Sequence, residues 1–367
     1  MHKKKTVIVS SLSDCREKNG IVTFMEILAR HSPRFSDHGM QLAFSNYVDL
    51  GTYSVPSTPT ASPPVFPPTP PHSPNFLTRF KRSVKGYIVR RPPFAFLLLL
   101  STLGARGLVT ALKARRYDEP GCVHFYQDFL TASFGCFLHH KTARRVIILH
   151  SGDDALSQLF AHFSGMVGTR FERLVRRWFD WTLQRQHAIV ALSEKYAEDL
   201  RKRYPAQDVR CIYNTSPFAG IRPAASTVRG SQGRIKLIAV GTLQYRKGFD
   251  LLIKAIASMP YSEREKLAVT IVGGGPSHAE LAELVNHNQL GHIITLAGES
   301  NNVAAFLEQS DAYILTSRDE GLPISLIEAC SFSLPIISTA VGSIPELFDD
   351  SSCKLMEPTR SEEHTSE

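Results

Sequence analysis

Ser310 to Ala329 reads S-D-A-Y-I-L-T-S-R-D-E-G-L-P-I-S-L-I-E-A, a strand that runs straight into a helix start. The apolar run stops at Ser317, and Gly321 and Pro323 follow the carboxylate of Glu320. Pro323 suits the first turn of a helix, where its missing N–H is not needed. Gly321 lets the backbone approach a ligand closely. The amides near Leu322 and Ile324 then face outward at a helix N-terminus, a seat for a diphosphate. Glu328, further along the helix, is placed to accept hydrogen bonds from ribose hydroxyls, and Glu320 lies near a sugar carried on that diphosphate. A capped surface helix with one incidental carboxylate has the same spacing, so this stretch alone supports both readings.

The neighbouring segments decide between them. Lys236 to Gly248 reads K-L-I-A-V-G-T-L-Q-Y-R-K-G, and Val269 to Pro276 reads V-T-I-V-G-G-G-P. Leu334 to Thr339 is a further strand, followed by V-G-S-I-P-E at Val341 to Glu346. Apolar runs of this length between helical stretches predict a parallel sheet with both faces covered. In such sheets ligands bind beyond the carboxyl ends of the strands. Lys247, Gly248, the turn containing Gly273 and Gly274, and Glu320 all fall at those ends.

The first half repeats the pattern. Thr6 to Ser11 reads as a strand, with Asn19-Gly20 at the start of an amphipathic helix over about Ile21 to Arg30. Cys122 to Phe129 reads C-V-H-F-Y-Q-D-F, and Arg145 to Asp154 is a strand running into His150. Gly165 to Gln186 is a long basic helix, and His187 to Ser193 and Val209 to Asn214 are strands. A histidine at a strand end is commonly only packed or solvated, which is what the residues alone say of His150; His124 and Asp128 carry weaker signals. The chain divides into residues 1–216, a linker at 217–233 rich in Pro, Ser and Gly, and residues 234–359.

Bulk properties narrow the setting. A length of 367 residues suits two domains. The six cysteines are scattered without a C-x-x-C pair, which points to reduced thiols in a cytosolic protein rather than a disulfide framework or zinc site. The apolar run after the basic start is too short for a signal peptide. A net charge of +8 favours acidic partners.

Val55 to Pro74 is rich in Pro, Ser and Thr and reads as a solvated, polyproline-like excursion. Arg79 to Arg116 carries many arginines and lysines and no carboxylate around F-A-F-L-L-L-L-S-T-L-G-A-R-G-L-V at Phe94 to Val109. Arg106 interrupts the run, which is short for a span of about 20 residues. It reads as an interfacial patch on anionic headgroups, or as a buried helix with solvated charges.

The order of motifs resembles the family-4 retaining glycosyltransferases (glycosyl transferases group 1), which have the GT-B fold of two facing Rossmann-like domains. The matching pieces are G-x-L-x-x-x-K-G at Gly241 to Gly248, the glycine turn, S-D-x-x-x-x-x-S at Ser310 to Ser317, the Glu320/Glu328 pair, and G-x-x-P-E at Gly342 to Glu346. The resemblance implies an α/β GT-B protein that moves a sugar with retention from a UDP- or GDP-sugar donor. Implied settings are cell-envelope polysaccharide or glycolipid synthesis, a lipid-linked or glycan acceptor, and a cytoplasmic or membrane-peripheral location. No cofactor, no nucleic acid and no obligatory metal is expected, and no D-x-D sequence occurs. Glu320, His150 and Lys247 are the implied catalytic residues. Lys247, Gly248, Gly273, Gly274, Gly321, Leu322, Pro323, Ile324, Glu328 and Gly20 are the implied donor contacts; Asn19-Gly20 reads equally as an ordinary turn. Two positions depart from the family pattern: Thr242 stands where an arginine is usual, and Ser333 where a glycine is common. The first bears on the strength of diphosphate binding, with Arg246 a neighbour able to compensate; the second alters a turn. A nucleotide-sugar epimerase of the same fold and a non-catalytic nucleotide-sugar-binding remnant are the alternative readings.

Arg360 to Glu367 reads R-S-E-E-H-T-S-E, the in-frame translation of a common sequencing adapter. The expectation is a coding sequence interrupted near Thr359, with residues 354–356 at the margin of the second sheet and the family's last strand and helices lacking.

Overall fold

The computed structural model describes residues 5–11, 25, 27–28, 32–38, 40–46, 90–150, 155–216, 218, 233–349 and 352–357. Gly20, the Pro-rich stretch 55–74, the basic segment up to residue 89, most of the 217–233 linker and the tail at 360–367 lie outside the described residues. The chain forms two compact units, residues 1–212 and 213–367. The division falls ahead of the expected linker because Tyr213 and Asn214 are tied into the second unit. The Tyr213 hydroxyl donates to Glu346 Oε2 at 3.3 Å, and Asn214 Nδ2 donates to the Leu322 carbonyl at 2.8 Å.

The first unit holds strands β1 (Lys5–Ser11), β2 (Met40–Asn46), β3 (Val123–Tyr126), β4 (Arg144–Leu149), β5 (Ala188–Ala191) and β6 (Asp208–Cys211). They pair in parallel in the order β2-β1-β3-β4-β5-β6. The second holds β7 (Ile235–Val240), β8 (Leu267–Val272), β9 (Ile294–Gly298), β10 (Ala312–Leu315), β11 (Ile336–Thr339) and β12 (Lys354–Met356). These are also all parallel, in the order β12-β11-β10-β7-β8-β9, with β12 at the edge. β2 and β9 are strands the sequence reading did not identify.

Successive strand residues point to opposite faces, and in the second unit both faces are covered. Ile238 packs with Leu307, Tyr313, Leu326 and Ala329 on one face. Its neighbour Ala239 packs with Leu252, Ile256, Ile271, Leu281 and Val285 on the other. A strand covered twice reads as an unbroken apolar run, hence the legibility of I-K-L-I-A-V. The chain proceeds from β7 through β8 to β9, then returns to place β10 on the other side of β7. The loops leaving β7 and β10 therefore diverge, which opens a crevice at their carboxyl ends. In the first unit the equivalent reversal lies between β1 and β3.

The expected Gly165–Gln186 helix is shorter, Arg170–Leu183. Thr169 ends it at the N-terminus, its hydroxyl accepting from the Phe171 N–H. The basic apolar segment is one continuous rod: an α-helix at Pro92–Leu99, a π-helical turn at Leu100–Gly104 and an α-helix at Ala105–Ala114. Ala95 and Leu99 are buried on one side, and the π turn carries that stripe on to Gly104, Gly107, Ala111 and Ala114. Phe94, Leu97, Leu108 and Leu112 are exposed on the rest of the surface.

The helix Ile324–Ser331 ends in a Schellman turn. Ser333 N–H donates to the Cys330 carbonyl and Leu334 N–H to the Ala329 carbonyl. That geometry requires a left-handed residue, and Ser333 takes it with φ 53°. The glycine common in the family would adopt it without strain, since a Cβ there costs roughly 1–2 kcal/mol. Replacing Ser333 by glycine is therefore expected to stabilise the second unit by about 0.5–1 kcal/mol, after the greater freedom of glycine in the unfolded chain is subtracted. Urea denaturation would show this as a higher midpoint at unchanged slope; an equal or lower midpoint contradicts it.

Candidate active site

The loop leaving β7 folds into a single 3-10 turn, Tyr245–Lys247, closed by Gly248 at φ 64°. A side chain at Gly248 would place its Cβ 1.9 Å from the Thr316 carbonyl oxygen, so only glycine fits between the β7 and β10 loops. Gly273 is held as tightly, its position leaving 1.9 Å between a Cβ and the Gly241 carbonyl oxygen. Gly241 in turn lies under the Lys247 stem, with Cε 3.3 Å from a Cβ built there. The glycines named from the sequence thus pack backbone on backbone and lay Lys247 across the crevice floor.

Lys247 Nζ donates to Glu320 Oε1 at 2.5 Å. Arg246 NH1 donates to Glu320 Oε2 at 3.2 Å and to the Asp319 carbonyl at 3.1 Å. Ser317 Oγ donates to Glu320 Oε1 at 2.8 Å. Glu320 is 4% exposed. Burial pushes its pKa up, but the charges of Lys247 and Arg246 outweigh this and hold it below the usual carboxylate value. The sequence reading gave Glu320 and Lys247 separate roles; the structure joins them in one ionic knot. It also brings in Arg246, whose guanidinium shares the same carboxylate.

Behind Glu320 the backbone is fixed by the loop after β11. Ser343 donates to the Gly321 carbonyl from both N–H (2.9 Å) and hydroxyl (3.0 Å). A Cβ on Gly342, at φ 58°, would lie 2.1 Å from the Glu320 carbonyl oxygen. Pro323 precedes the helix as its N-cap rather than standing in its first turn. Among the described residues no side chain caps that end, and no acidic residue stands in the first turn. Leu322 and Ile324 are buried, and Glu328 is half-buried one turn after Ile324. Lys247, Gly248, Gly273, Gly274, Gly321, Leu322, Pro323, Ile324 and Glu328 all belong to the second unit, around the switch between β7 and β10.

His150 belongs to the first unit, just past β4, where its Nε2 is 2.5 Å from Gln127 Oε1. Desolvation by the surrounding protein pushes its pKa down to about 4, so the ring is neutral at pH 7. Gln127 leaves β3, and its N–H donates to the Ser10 carbonyl of β1, which puts this pair at the first unit's own switch point. Asp128 is a cap: it accepts from Thr131 N–H at 2.7 Å and Thr131 Oγ1 at 2.9 Å, starting the helix Phe129–Leu138.

His124 is fully buried and stacks on His139 with centroids 3.8 Å apart. Its Nε2 meets Asp118 Oδ1 at 3.0 Å, and the Cys122 thiol donates to the same oxygen at 3.3 Å. Burial above all pushes the Cys122 pKa up to about 11, which keeps the thiol protonated. The cluster is a hydrogen-bonded knot centred on Asp118, whose other oxygen accepts from the His140 N–H at 2.6 Å.

The family described as Glycosyltransferase Family 4 matches residues 19–215, and that described as Glycosyl transferases group 1 matches residues 225–367. The chain belongs to the family-4, group 1 glycosyltransferases. It is 26% identical over 280 residues to a phosphatidylinositol N-acetylglucosaminyltransferase subunit of Arabidopsis thaliana, covering 75% of this chain and 59% of that one. It is 27% identical over 219 residues to the putative teichuronic acid biosynthesis glycosyltransferase TuaC of Bacillus subtilis, covering 58% and 51%. The chain thus spans between half and three-fifths of the length of these relatives. Sucrose-phosphate synthase from Thermosynechococcus elongatus shares the fold at TM-score 0.63 and 16% identity, covering 97% of this chain and 86% of its own. Anabaena HepE in complex with UDP-glucose does so at TM-score 0.60 and 16% identity, with the same coverage. The fold of this glycosyltransferase-family chain is GT-B, as the motif order implied.

The histidine knot makes stability depend on pH. Burial first, then the neighbouring His139, pushes the His124 pKa down to about 4, against the pull of Asp118. The unfolded chain binds the proton near pH 6.5 and the folded chain only near 4, so this contribution is complete above 6.5 and lost as pH falls toward 4. At about 1.4 kcal/mol per pH unit the loss reaches about 3 kcal/mol. Denaturation midpoints measured from about pH 7 down to about 4.5 should fall less steeply in His124→Gln than in the wild type; parallel profiles would refute the assignment.

Proposed function

We propose that this chain transfers a sugar, with retention, from a nucleoside-diphosphate sugar to an acceptor. The observation that carries the reading is the Lys247–Glu320–Arg246 knot at the β7/β10 switch, beside a helix N-terminus that no described side chain caps. The hard step of such a transfer is departure of the nucleotide diphosphate from an oxocarbenium-like anomeric carbon, with negative charge growing on the leaving phosphate. Fixed positive groups aimed at that charge lower the barrier. Lys247, Arg246 and the Ile324 helix end supply them from the chain itself, so the reading assigns no role to an obligatory metal. Glu320 orients or stabilises the donor sugar, and Glu328 accepts from the ribose hydroxyls. Solved relatives of the same fold bind UDP and UDP-glucose, which makes a UDP-sugar the first donor to test.

Lys247→Ala and Glu328→Ala are each expected to weaken UDP-sugar binding by about 1.5–3 kcal/mol, the worth of one charge-assisted hydrogen bond. Calorimetric titration checks this, and unchanged affinity in both variants removes the basis of the site. Glu320→Gln should lower the rate of nucleotide release in the presence of acceptor more than it lowers donor affinity. Full turnover in that variant would reduce Glu320 to a structural anchor.

The acceptor proposed is lipid-linked, in glycolipid or envelope polysaccharide synthesis, with the chain held at a membrane surface. The rod at Pro92–Tyr117 is long and apolar enough to cross a membrane, at mean hydropathy 1.8. Its buried stripe, however, packs into the first unit's core, where a Cβ on Gly107 would sit 3.0 Å from Leu130. A helix fixed on one side lies along the interface rather than across it. Phe94 and Leu97, 56% and 59% exposed, face outward, and Arg90, Arg91, Arg106, Lys113, Arg115 and Arg116 accompany them with no carboxylate between. Sedimentation with anionic vesicles is expected, with release in high salt and roughly tenfold weaker binding for Leu97→Glu/Leu112→Glu. Equal recovery in the supernatant with anionic and neutral vesicles would oppose a membrane role.

A further inference from the structure

Among the described residues the Arg318 side chain makes its hydrogen bonds outside the ionic knot, yet they converge on the turn that presents the knot's cations. Its guanidinium grips Asp250 in a two-pronged pair, NH1 to Oδ1 and NH2 to Oδ2, both at 2.7 Å. NH1 also donates to the Tyr245 carbonyl at 2.8 Å. The guanidinium carbon lies 3.9 Å from the centroid of the Tyr245 ring. The Arg318 N–H donates to the Arg246 carbonyl at 2.7 Å. Two residues earlier, Thr316 Oγ1 donates to the Gly248 carbonyl at 2.9 Å.

The pair is well enclosed, at 16% and 19% side-chain exposure. Burial raises the Asp250 pKa, but Arg318 outweighs it and brings the carboxylate below its ordinary value. Such a fork sets distance and orientation together, which a lysine's single point charge does not. The grip spans from the loop after β10 to the turn after β7. Its lower end is two residues from Glu320, and its upper end surrounds Arg246 and Lys247. Both are long side chains with many rotamers, and the rigid reference for their bases is this turn.

We propose that Arg318 is a positioning residue: by clamping Tyr245, Arg246 and Asp250 it holds the Arg246–Lys247 cation pair over Glu320, so that the pair meets a diphosphate already in place. This rests on the diphosphate reading of the knot. Arg318 itself touches no substrate in this scheme; it acts through the two cations. Preorganised donors bind better because less motion is lost on binding, so loosening the clamp weakens nucleotide affinity without removing any group that contacts the nucleotide.

The test is UDP titration of the whole chain as wild type, Arg318→Lys, Arg246→Ala/Lys247→Ala, and the triple variant, with thermal midpoints alongside. Arg318→Lys keeps the charge and loses the fork. It is expected to weaken UDP binding about tenfold and to raise the donor KM by more than it lowers kcat. In the Arg246→Ala/Lys247→Ala background the same change should have less than about a twofold effect, because the groups it positions are gone. Should Arg318→Lys fail to fold, Asp250→Asn loosens the same fork at constant shape and is read in the same way. Unchanged UDP affinity in a folded variant, or an equal further loss in the doubly substituted background, overturns the clamp while leaving the diphosphate site standing. A wild type that binds no nucleoside diphosphate overturns both.

Discussion

A buried carboxylate shared by an ammonium and a guanidinium is the constraint on which the second unit's crevice depends. Glu320 cannot be taken from water without partners, because the desolvation of an ion exceeds what most single contacts return. It finds Lys247 and Arg246 from the loop after β7 and Ser317 from its own loop. The loop after β11 fixes the adjoining backbone through Gly342 and Ser343. Three strand ends are thus drawn to one point. The glycines make this possible: with side chains at 248, 273 or 342, the loops would stand off from each other and the carboxylate would face solvent.

Much of this was legible in the sequence, for a physical reason. Strands buried on both faces read as unbroken apolar runs, and turns demanding φ above zero read as glycine, so β7, β8, β10, β11 and their loops were visible. β2 and β9 were not. M-Q-L-A-F-S-N and I-T-L-A-G mix polar with apolar residues and lie at sheet edges, where one side need not be covered. The knot's two cations were legible as residues but not as partners of Glu320. Their meeting depends on β10 returning to pair with β7, a fact of strand order that no local pattern encodes. Arg318 and Asp250, 68 residues apart, were invisible for the same reason.

The rod at residues 92–114 shows a different limit. The sequence offered an interfacial patch or a buried helix; the structure buries one face and leaves Phe94, Leu97, Leu108 and Leu112 exposed on the other. The first part of the rod, Pro92–Leu99, is apolar all round and has no polar face to announce which side turns inward. What settles the sides is the small-residue stripe of Ala95, Gly104, Gly107, Ala111 and Ala114, which admits close approach to the core. The π turn matters here. Leu99 and Gly104 are five residues apart, a spacing that would rotate a plain α-helical stripe off the core, and the wider turn absorbs the extra residue.

A count of donors explains why Glu320 does not block the site it occupies. A lysine ammonium has three N–H donors and a guanidinium five. The knot uses one from Lys247 and the NH1 group of Arg246. With two cations against one carboxylate, a single positive charge is left over, in a crevice that is partly shielded from water. On the proposed reading a diphosphate would bond the remaining donors without expelling Glu320, which holds both cations in the knot. Glu320 would in this respect be a fixture of the proposed anion site rather than a competitor for it.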